Sequence, residues 1–247
     1  MGADGPRHDI QDLAERVLAA RGGRPVFVVG LTGGVAAGKT TLASDLAGAL
    51  RTGPGALRVE LVNTDGFLRP NRELEAAVLL NRKGYPETYD RDALDGALRA
   101  VLRRPTAFPG YSHRVYDVDP ALTRMIDPPD VLIVEGLGLD GATPLHLLIY
   151  LDADEVDQEA WFVHRFLGFW KQALTDETSF YARFRDLDRE GAAGVAAWVW
   201  SAINRPNLRE HILPVRAAAD IVVVKGPDHA LASITSRRDS RDEAAAG

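Results

Sequence analysis

Residues 33 to 40 read Gly-Gly-Val-Ala-Ala-Gly-Lys-Thr, a Gly-x-x-x-x-Gly-Lys-Thr string set between an apolar run and a segment of helical spacing. No other feature constrains the fold as tightly, because the string works only where a strand, a glycine-rich turn and a helix follow in that order. The upstream run, Pro25-Val26-Phe27-Val28-Val29-Gly30-Leu31, has the length of a buried strand, and residues 41–50 repeat apolar side chains at helical intervals. Glycines let backbone N–H groups curl around phosphate oxygens, Lys39 reaches toward the β and γ phosphates, and the Thr40 hydroxyl is a ligand for Mg²⁺. The helix that follows turns its positive end to the anion. Gly33, Gly34, Val35, Ala36, Ala37, Gly38, Lys39, Thr40 and Thr41 are therefore expected to hold a nucleoside triphosphate.

Apolar strand-like runs recur at 26–31, 58–63, 131–134, 147–151 and 221–224, separated by helical patterns at 10–21, 39–50, 91–103, 155–171 and about 192–204. Strands alternating with helices predict an α/β fold, a parallel sheet of about five strands covered on both faces, with ligands at the carboxyl ends of the strands. At 247 residues and 46% hydrophobic content, one substantial core is expected, over 10–235. Regions 66–120 and 155–210 are assigned to a helical substrate lobe. Residues 1–9 and 236–247 carry no apolar face and are read as flexible tails. A formal charge of −6 argues against general affinity for nucleic acid or anionic membrane, and the absence of cysteine excludes disulfides and thiolate chemistry. No signal-like or membrane-spanning run occurs, so a cytoplasmic setting is expected.

Several side chains fall where chemistry is expected. Asp65 ends the second apolar run, at the sheet edge that carries the phosphate loop, where a carboxylate takes the proton of an acceptor hydroxyl in phosphoryl transfer; it also suits a cap for the next segment. Glu135 closes Val131-Leu132-Ile133-Val134 and reads as a contributor to Mg²⁺ alongside Thr40, or as a solvated carboxylate. Tyr111-Ser112-His113-Arg114-Val115-Tyr116-Asp117 crowds two phenols and an imidazole into a predicted loop. Such clusters suit a polar small molecule, yet more often they are ordinary hydrogen-bonded loops. Trp161, Arg165 and Phe169 share a helix face by their spacing of four. Packing explains the aromatics, whereas Arg165 needs either solvent or an anion such as phosphate.

With these residues assembled, the chain resembles bacterial type I pantothenate kinases, of the phosphoribulokinase and uridine kinase group of phosphate-loop kinases. The resemblance runs nearly collinearly from residue 25 to 232. It rests on the loop at 33–40, Thr64-Asp65-Gly66-Phe67-Leu68, Arg82-Lys83-Gly84-Tyr85-Pro86-Glu87-Thr88-Tyr89-Asp90, Tyr111-Ser112-His113, Ile133-Val134-Glu135-Gly136-Leu137, Arg165-Phe166-Leu167, Ile203-Asn204 and Ile212-Leu213-Pro214. It implies an ATP-dependent kinase with Mg²⁺ that phosphorylates a small-molecule alcohol, pantothenate first among candidates, and it implies a homodimer. By the same resemblance Asp65 is the base, and Lys39 and Arg165 stabilise the transferring phosphate. Tyr111, His113, Phe169 and Asn204 line the acceptor pocket, with Tyr116 and Phe162 beside them, and His229 sits near the adenine.

The departures bear on the acceptor. Phe162 stands where the family has tyrosine, Ser179-Phe180-Tyr181-Ala182 replaces Ser-Tyr-Phe-His, and Phe184 replaces a further tyrosine. The segment 138–144 is short, with Gly138 in place of asparagine, and the N-terminal extension is shorter, so feedback by coenzyme A is not carried over from the family. Two alternatives stay open: a kinase of the same architecture with a diverged acceptor (a nucleoside, sugar or pantothenate-like metabolite), and a nucleotide-dependent switch. A guanine-reading Asn-Lys-x-Asp string is missing from Leu151-Asp152-Ala153-Asp154, where a switch needs one.

Overall fold

The computed structural model describes residues 9–53 and 55–237. Its central strand, β1 (Phe27–Gly33), is buried at every position, as a strand must be when it is covered on both faces and paired on both edges. β1 pairs in parallel with β5 (Val131–Glu135) on one side and β6 (Leu147–Ala153) on the other. β2 (Val59–Asn63) extends the sheet beyond β5, and β7 (Ile221–Lys225) extends it beyond β6. β8 (Leu231–Ser236) closes that edge antiparallel to β7, giving the order β2-β5-β1-β6-β7-β8.

Because side chains alternate along a strand, the sheet divides its apolar residues between two cores. Phe27, Val29, Leu31, Val131 and Ile133 meet Leu13 and Val17 of α1 (Ile10–Arg21) and Leu42, Leu46 and Leu50 of α2 (Lys39–Thr52). Val28, Leu132, Val134 and Leu148 serve the other face. There they join Leu94 and Leu98 of α4 (Arg91–Ala100), Phe162 and Phe166 of α5 (Glu155–Ala173), and the fully buried Trp200. Each large side chain so buried contributes about 1.5–3 kcal/mol, so both cores hold β1 rigid from its two sides. Asp9 caps α1, accepting from the Gln11 and Asp12 N–H groups at 3.0 Å. Among the described residues no helix is long and apolar enough to cross a membrane.

The predicted strands and helices are present within a few residues of their expected bounds, and the sheet differs from the expected one only by the antiparallel β8. That strand, Leu-Ala-Ser-Ile-Thr-Ser, has too little apolar alternation to stand out. A second correction concerns the stretch around Tyr111, expected as a loop. Residues 113–116 are a turn as expected, but that turn joins a hairpin of β3 (Thr106–Ser112) and β4 (Asp117–Ile126), to which Tyr111, Ser112 and Asp117 belong, with a register shift between Phe108 and Gly110. Pro109 and Gly110 inside β3 disguise it, since proline donates no ladder bond and both residues favour bulges. The last predicted helix begins earlier, as α6 (Arg189–Val199) capped by Asp188, and runs on through π-helical turns at Trp200–Asn204 and Leu208–Ile212. Pro206 lies between those turns and supplies no N–H to the ladder, which widens on both sides of it. A short α3 (Asn71–Ala76) completes the helices named here. Of the expected tails, Asp9 belongs to the α1 cap and Ser236 to β8, while 1–8 and 238–247 lie outside the described residues.

Candidate active site

The phosphate loop leaves β1 at Gly33 and enters α2 at Lys39. A side chain at Gly33 would put its Cβ 2.2 Å from the Leu151 carbonyl oxygen, and one at Gly34 would put it 1.6 Å from Gln158 Oε1. The loop is thus pressed against β6 and α5 as only glycine permits. Gly38 adopts a left-handed conformation (φ 94°) and its N-cap position gives α2 no side-chain cap among the described residues, so the first N–H groups of that helix are placed to meet an anion. Lys39 folds back over the turn, its Nζ donating to the carbonyls of Gly33 (3.1 Å) and Gly34 (2.8 Å). Burial pulls the Lys39 ammonium down to about 8, aided by the nearby Arg165 charge and opposed by Glu135 and Asp65. Negative charge brought beside it would raise that value again, since it favours the ammonium.

Parallel pairing sets Asn63 of β2 opposite Glu135 of β5. The Thr40 hydroxyl donates to Glu135 Oε1 at 3.0 Å, and Asn63 Nδ2 donates to the same oxygen at 2.5 Å. Glu135 is buried, 5% exposed, so it is a tied carboxylate and not a solvated one. Asn63 has a second task. Its Oδ1 accepts the Asp65 N–H at 2.6 Å, fixing the short 3₁₀ turn Thr64–Phe67 that presents Asp65. The buried Tyr89 hydroxyl donates to Asp65 Oδ1 at 3.3 Å. Gly66 of the same turn lies so close to Pro109 that a Cβ there would meet the Pro109 carbonyl oxygen at 2.0 Å. This close approach docks the β3–β4 hairpin beside Asp65.

Hairpin, α5, the π-helical turn and the segment around 180–184 enclose a cavity of about 320 Å³. Asp65, Arg165, Tyr111, His113, Tyr116, Phe162 and Asn204 all line it, as does Val35 of the phosphate loop. The loop, the carboxylate and the expected acceptor residues therefore converge on one space. Arg165 is exposed to it and has no ion pair among the described residues. Asn204 Nδ2 is buried with no hydrogen-bond partner among the described residues. Phe169 does not line it. It stacks behind, on Tyr181 (5.0 Å between centroids) and on His113 (6.2 Å). His229 and Thr41 share a separate cavity of about 310 Å³ on the far side of the loop. There His229 stacks on Trp161 at 4.4 Å, and Lys225 lies over the Trp161 ring while donating to the Ala37 carbonyl at 2.9 Å.

Three residues of the site were not singled out from the sequence. Asn63 and Tyr89 orient Asp65, and each lies in or beside a string already noted, Thr64–Leu68 and Arg82–Asp90. Lys83 lines the acceptor cavity with its side chain only 2% exposed, donating to Asn71 Oδ1 and the Tyr116 carbonyl at 2.6 Å each, 4.5 Å from the Tyr116 ring centroid. Burial lowers its ammonium to about 8 against the opposing pull of Asp117 and Asp65. Its signal was a lysine inside a family-specific string, but no periodicity or spacing says that the chain folds over it.

No family model matches the chain. Curated relatives do. It is 41% identical over 228 residues to a pantothenate kinase of Myxococcus xanthus, covering 86% of this chain and 72% of that one. It is 39% identical over 246 residues to the Sorangium cellulosum pantothenate kinase, covering 95% and 80%. Among solved structures, a putative fructose transport system kinase from Silicibacter sp. TM1040 superposes with a TM-score of 0.65 at 26% identity, over 85% of this chain and 95% of that one. A D-glycerate 3-kinase from Cryptococcus neoformans has a TM-score of 0.62 at 15% identity, over 92% and 98%, a likeness of fold alone. Identity near 40% sustained over most of both chains goes beyond shared architecture and makes this chain a member of the pantothenate kinase family.

Proposed function

We propose that the chain is an ATP-dependent kinase that phosphorylates the primary hydroxyl of pantothenate, giving 4'-phosphopantothenate and ADP. Family membership supports the acceptor. One observation carries the reaction: Asp65 and Arg165 line the same cavity that the phosphate loop borders through Val35, with Lys39 close enough to feel both charges. In this reading the acceptor hydroxyl passes its proton to Asp65 as its oxygen attacks the γ phosphorus in line, and the bond from that phosphorus to the β-phosphate oxygen breaks. Asn63 fixes the backbone of the Asp65 turn and the Tyr89 hydroxyl donates to the carboxylate, which together orient it for that proton. Lys39 and Arg165 offset the charge that builds on the transferring group. Asn204 donates to the body of the acceptor, and Trp161, Lys225 and His229 flank the base.

The Thr40 hydroxyl and the buried Glu135 carboxylate, 3.0 Å apart, are the hard oxygen donors Mg²⁺ prefers, with its remaining shell drawn from phosphate and water. Thr40 and Glu135 would hold the ion, which when bound would supply positive charge against that of the phosphates. A homodimer and a cytoplasmic setting belong to the same proposal and rest on the family alone.

A second reading, a kinase whose acceptor has diverged, is favoured by the cavity wall. Phe162, Phe166, Phe180 and Phe184 give it an apolar side, and Phe162 has no phenol to offer an acceptor amide. ADP release from Mg·ATP by the purified chain separates the two. Saturable stimulation by pantothenate establishes the first. Silence with pantothenate and a response to pantetheine, a nucleoside or a sugar establishes the second, and equal release with and without every alcohol removes kinase activity altogether.

A further inference from the structure

The acceptor cavity holds one carboxylate, Asp65, and three cations, Lys83, Arg165 and Arg183. Two of these cations already have work. Lys83 spends its protons on Asn71 and Tyr116 and stands 4.0 Å from Asp117. Arg165 belongs to the phosphate end, where its charge acts on Lys39. Arg183 has no such tie. Its guanidinium lies flat on Phe180, 3.9 Å from the ring centroid, and its Nε donates to the Phe180 carbonyl at 3.1 Å. Among the described residues its two terminal amino groups have neither an acidic nor a polar partner.

Neighbouring acids do not explain this. Glu177 is paired with Arg185 at 2.7 Å, and Asp176 lies 3.8 Å from Arg114 while also accepting from Thr178. Arg183 is therefore an oriented guanidinium on the cavity wall with a free two-pronged edge, in a chain whose net charge is −6. A ring face beneath the guanidinium fixes its plane, and a fixed fork of N–H groups matches both oxygens of a carboxylate.

We infer that Arg183 is the carboxylate-binding residue of the acceptor cavity. The site then selects an acceptor that carries a hydroxyl for Asp65 at one end and a carboxylate for Arg183 at the other. Pantothenate has both groups, so the inference rests on the pantothenate reading and deepens it. It also assigns the two exposed arginines of the cavity to different anions, phosphate for Arg165 and acceptor carboxylate for Arg183.

The test is steady-state ADP release by the full chain and its Arg183→Gln and Arg183→Lys variants, with pantothenate and with its neutral primary amide as acceptors. Arg183→Gln is expected to raise KM for pantothenate about tenfold or more, the range for a lost hydrogen bond to a charged group, with kcat nearly unchanged and KM for the amide unmoved. Arg183→Lys keeps the charge and recovers part of the loss, and added salt raises KM for pantothenate only where a cation is present at 183. An equal change for both acceptors would mean that Arg183 merely stiffens its segment, and no change for either would mean that it faces solvent; each overturns the inference while the kinase reading stands. If the wild-type chain releases ADP with neither acceptor, the pantothenate reading falls and Arg183's role falls with it.

Discussion

The two halves of the site are built by opposite means. On the side proposed for phosphate, the candidate residues are nine consecutive ones, Gly33 to Thr41, and their shape is set by the Leu151 carbonyl and Gln158 pressed against Gly33 and Gly34. The acceptor side has no contiguous stretch of its own. Asp65 comes from the 3₁₀ turn after β2, Lys83 from the connection after α3, Tyr111 and His113 from a hairpin, Arg165 from α5, and Asn204 from a π-helical turn. A contiguous backbone site tolerates little change because each residue's place depends on its neighbours. A site assembled from distant side chains lets one wall residue change without disturbing the reaction, and Phe162 and Phe184, which the resemblance sets against tyrosines, fall there.

The largest effect expected to bear on this division is that of Arg165→Ala. An arginine that stabilises the transferring phosphate contributes about 10³–10⁵ in rate, and Arg165 is exposed to the cavity, so the variant should fold and fail in kcat. Were the loss confined to KM for the acceptor, Arg165 would move to the other half of the site. Next is Asp65→Asn, which preserves shape and removes the base; turnover should drop about 10²–10⁴-fold while nucleotide affinity holds. Unchanged turnover would refute the role given to Asp65. Asn63 links the halves, so Asn63→Ala, which frees Glu135 and the Asp65 turn together, should lower kcat about tenfold, in line with the cost of unpairing buried polar groups. A change in nucleotide affinity alone would restrict Asn63 to the phosphate side.

A proton-linkage measurement sharpens the comparison further. Burial holds Lys39 and Lys83 at about 8, below the 10.5 of a free lysine. Between those values the unfolded chain binds more protons than the folded one, so stability rises with pH across that window, and below about 8 the cost of the buried charge is fully present. A triphosphate beside Lys39 reverses its shift. ATP binding near pH 8 is therefore expected to take up protons, read as a calorimetric enthalpy that depends on the buffer's ionisation enthalpy, and Lys39→Met should abolish most of that dependence. Pantothenate binding tests Lys83 in the same way. Smallest is Phe162→Tyr, where one restored neutral hydrogen bond, about 0.5–1.5 kcal/mol, should lower KM for pantothenate a few-fold. An unaltered KM would show that residue 162 does not reach the acceptor's polar groups.

How legible each half was follows from the same difference. The loop, its strand and its helix were readable because a short-range pattern carries both the geometry and the chemistry, and Asp65 and Glu135 were readable as carboxylates at strand ends. The hairpin was not. Pro109 and Gly110 break the strand pattern of β3, and only the close approach of Gly66 to Pro109 shows why the bulge is kept. Phe169, which the resemblance sets in the acceptor pocket, is not among the residues lining the cavity and stacks on Tyr181 and His113, because a family string says which residue stands at a position but not how far it reaches.

By itself, the sequence determined the α/β alternation, the phosphate loop and its cation, the identity of the strand-end carboxylates and the family, because periodicity, local backbone chemistry and motif order are properties of neighbouring residues. Tertiary structure alone decided that Asn63 ties Glu135 to the Asp65 turn, that Lys83 is buried in the acceptor cavity, that β8 closes the sheet antiparallel, and that Arg183 keeps a free guanidinium edge on the cavity wall. The ties of Asn63 to Glu135 and of Lys83 to Tyr116 cross tens of residues of sequence, β8 is placed by its pairing with β7, and Arg183 by the cavity that it lines; a pattern of neighbouring residues records none of these.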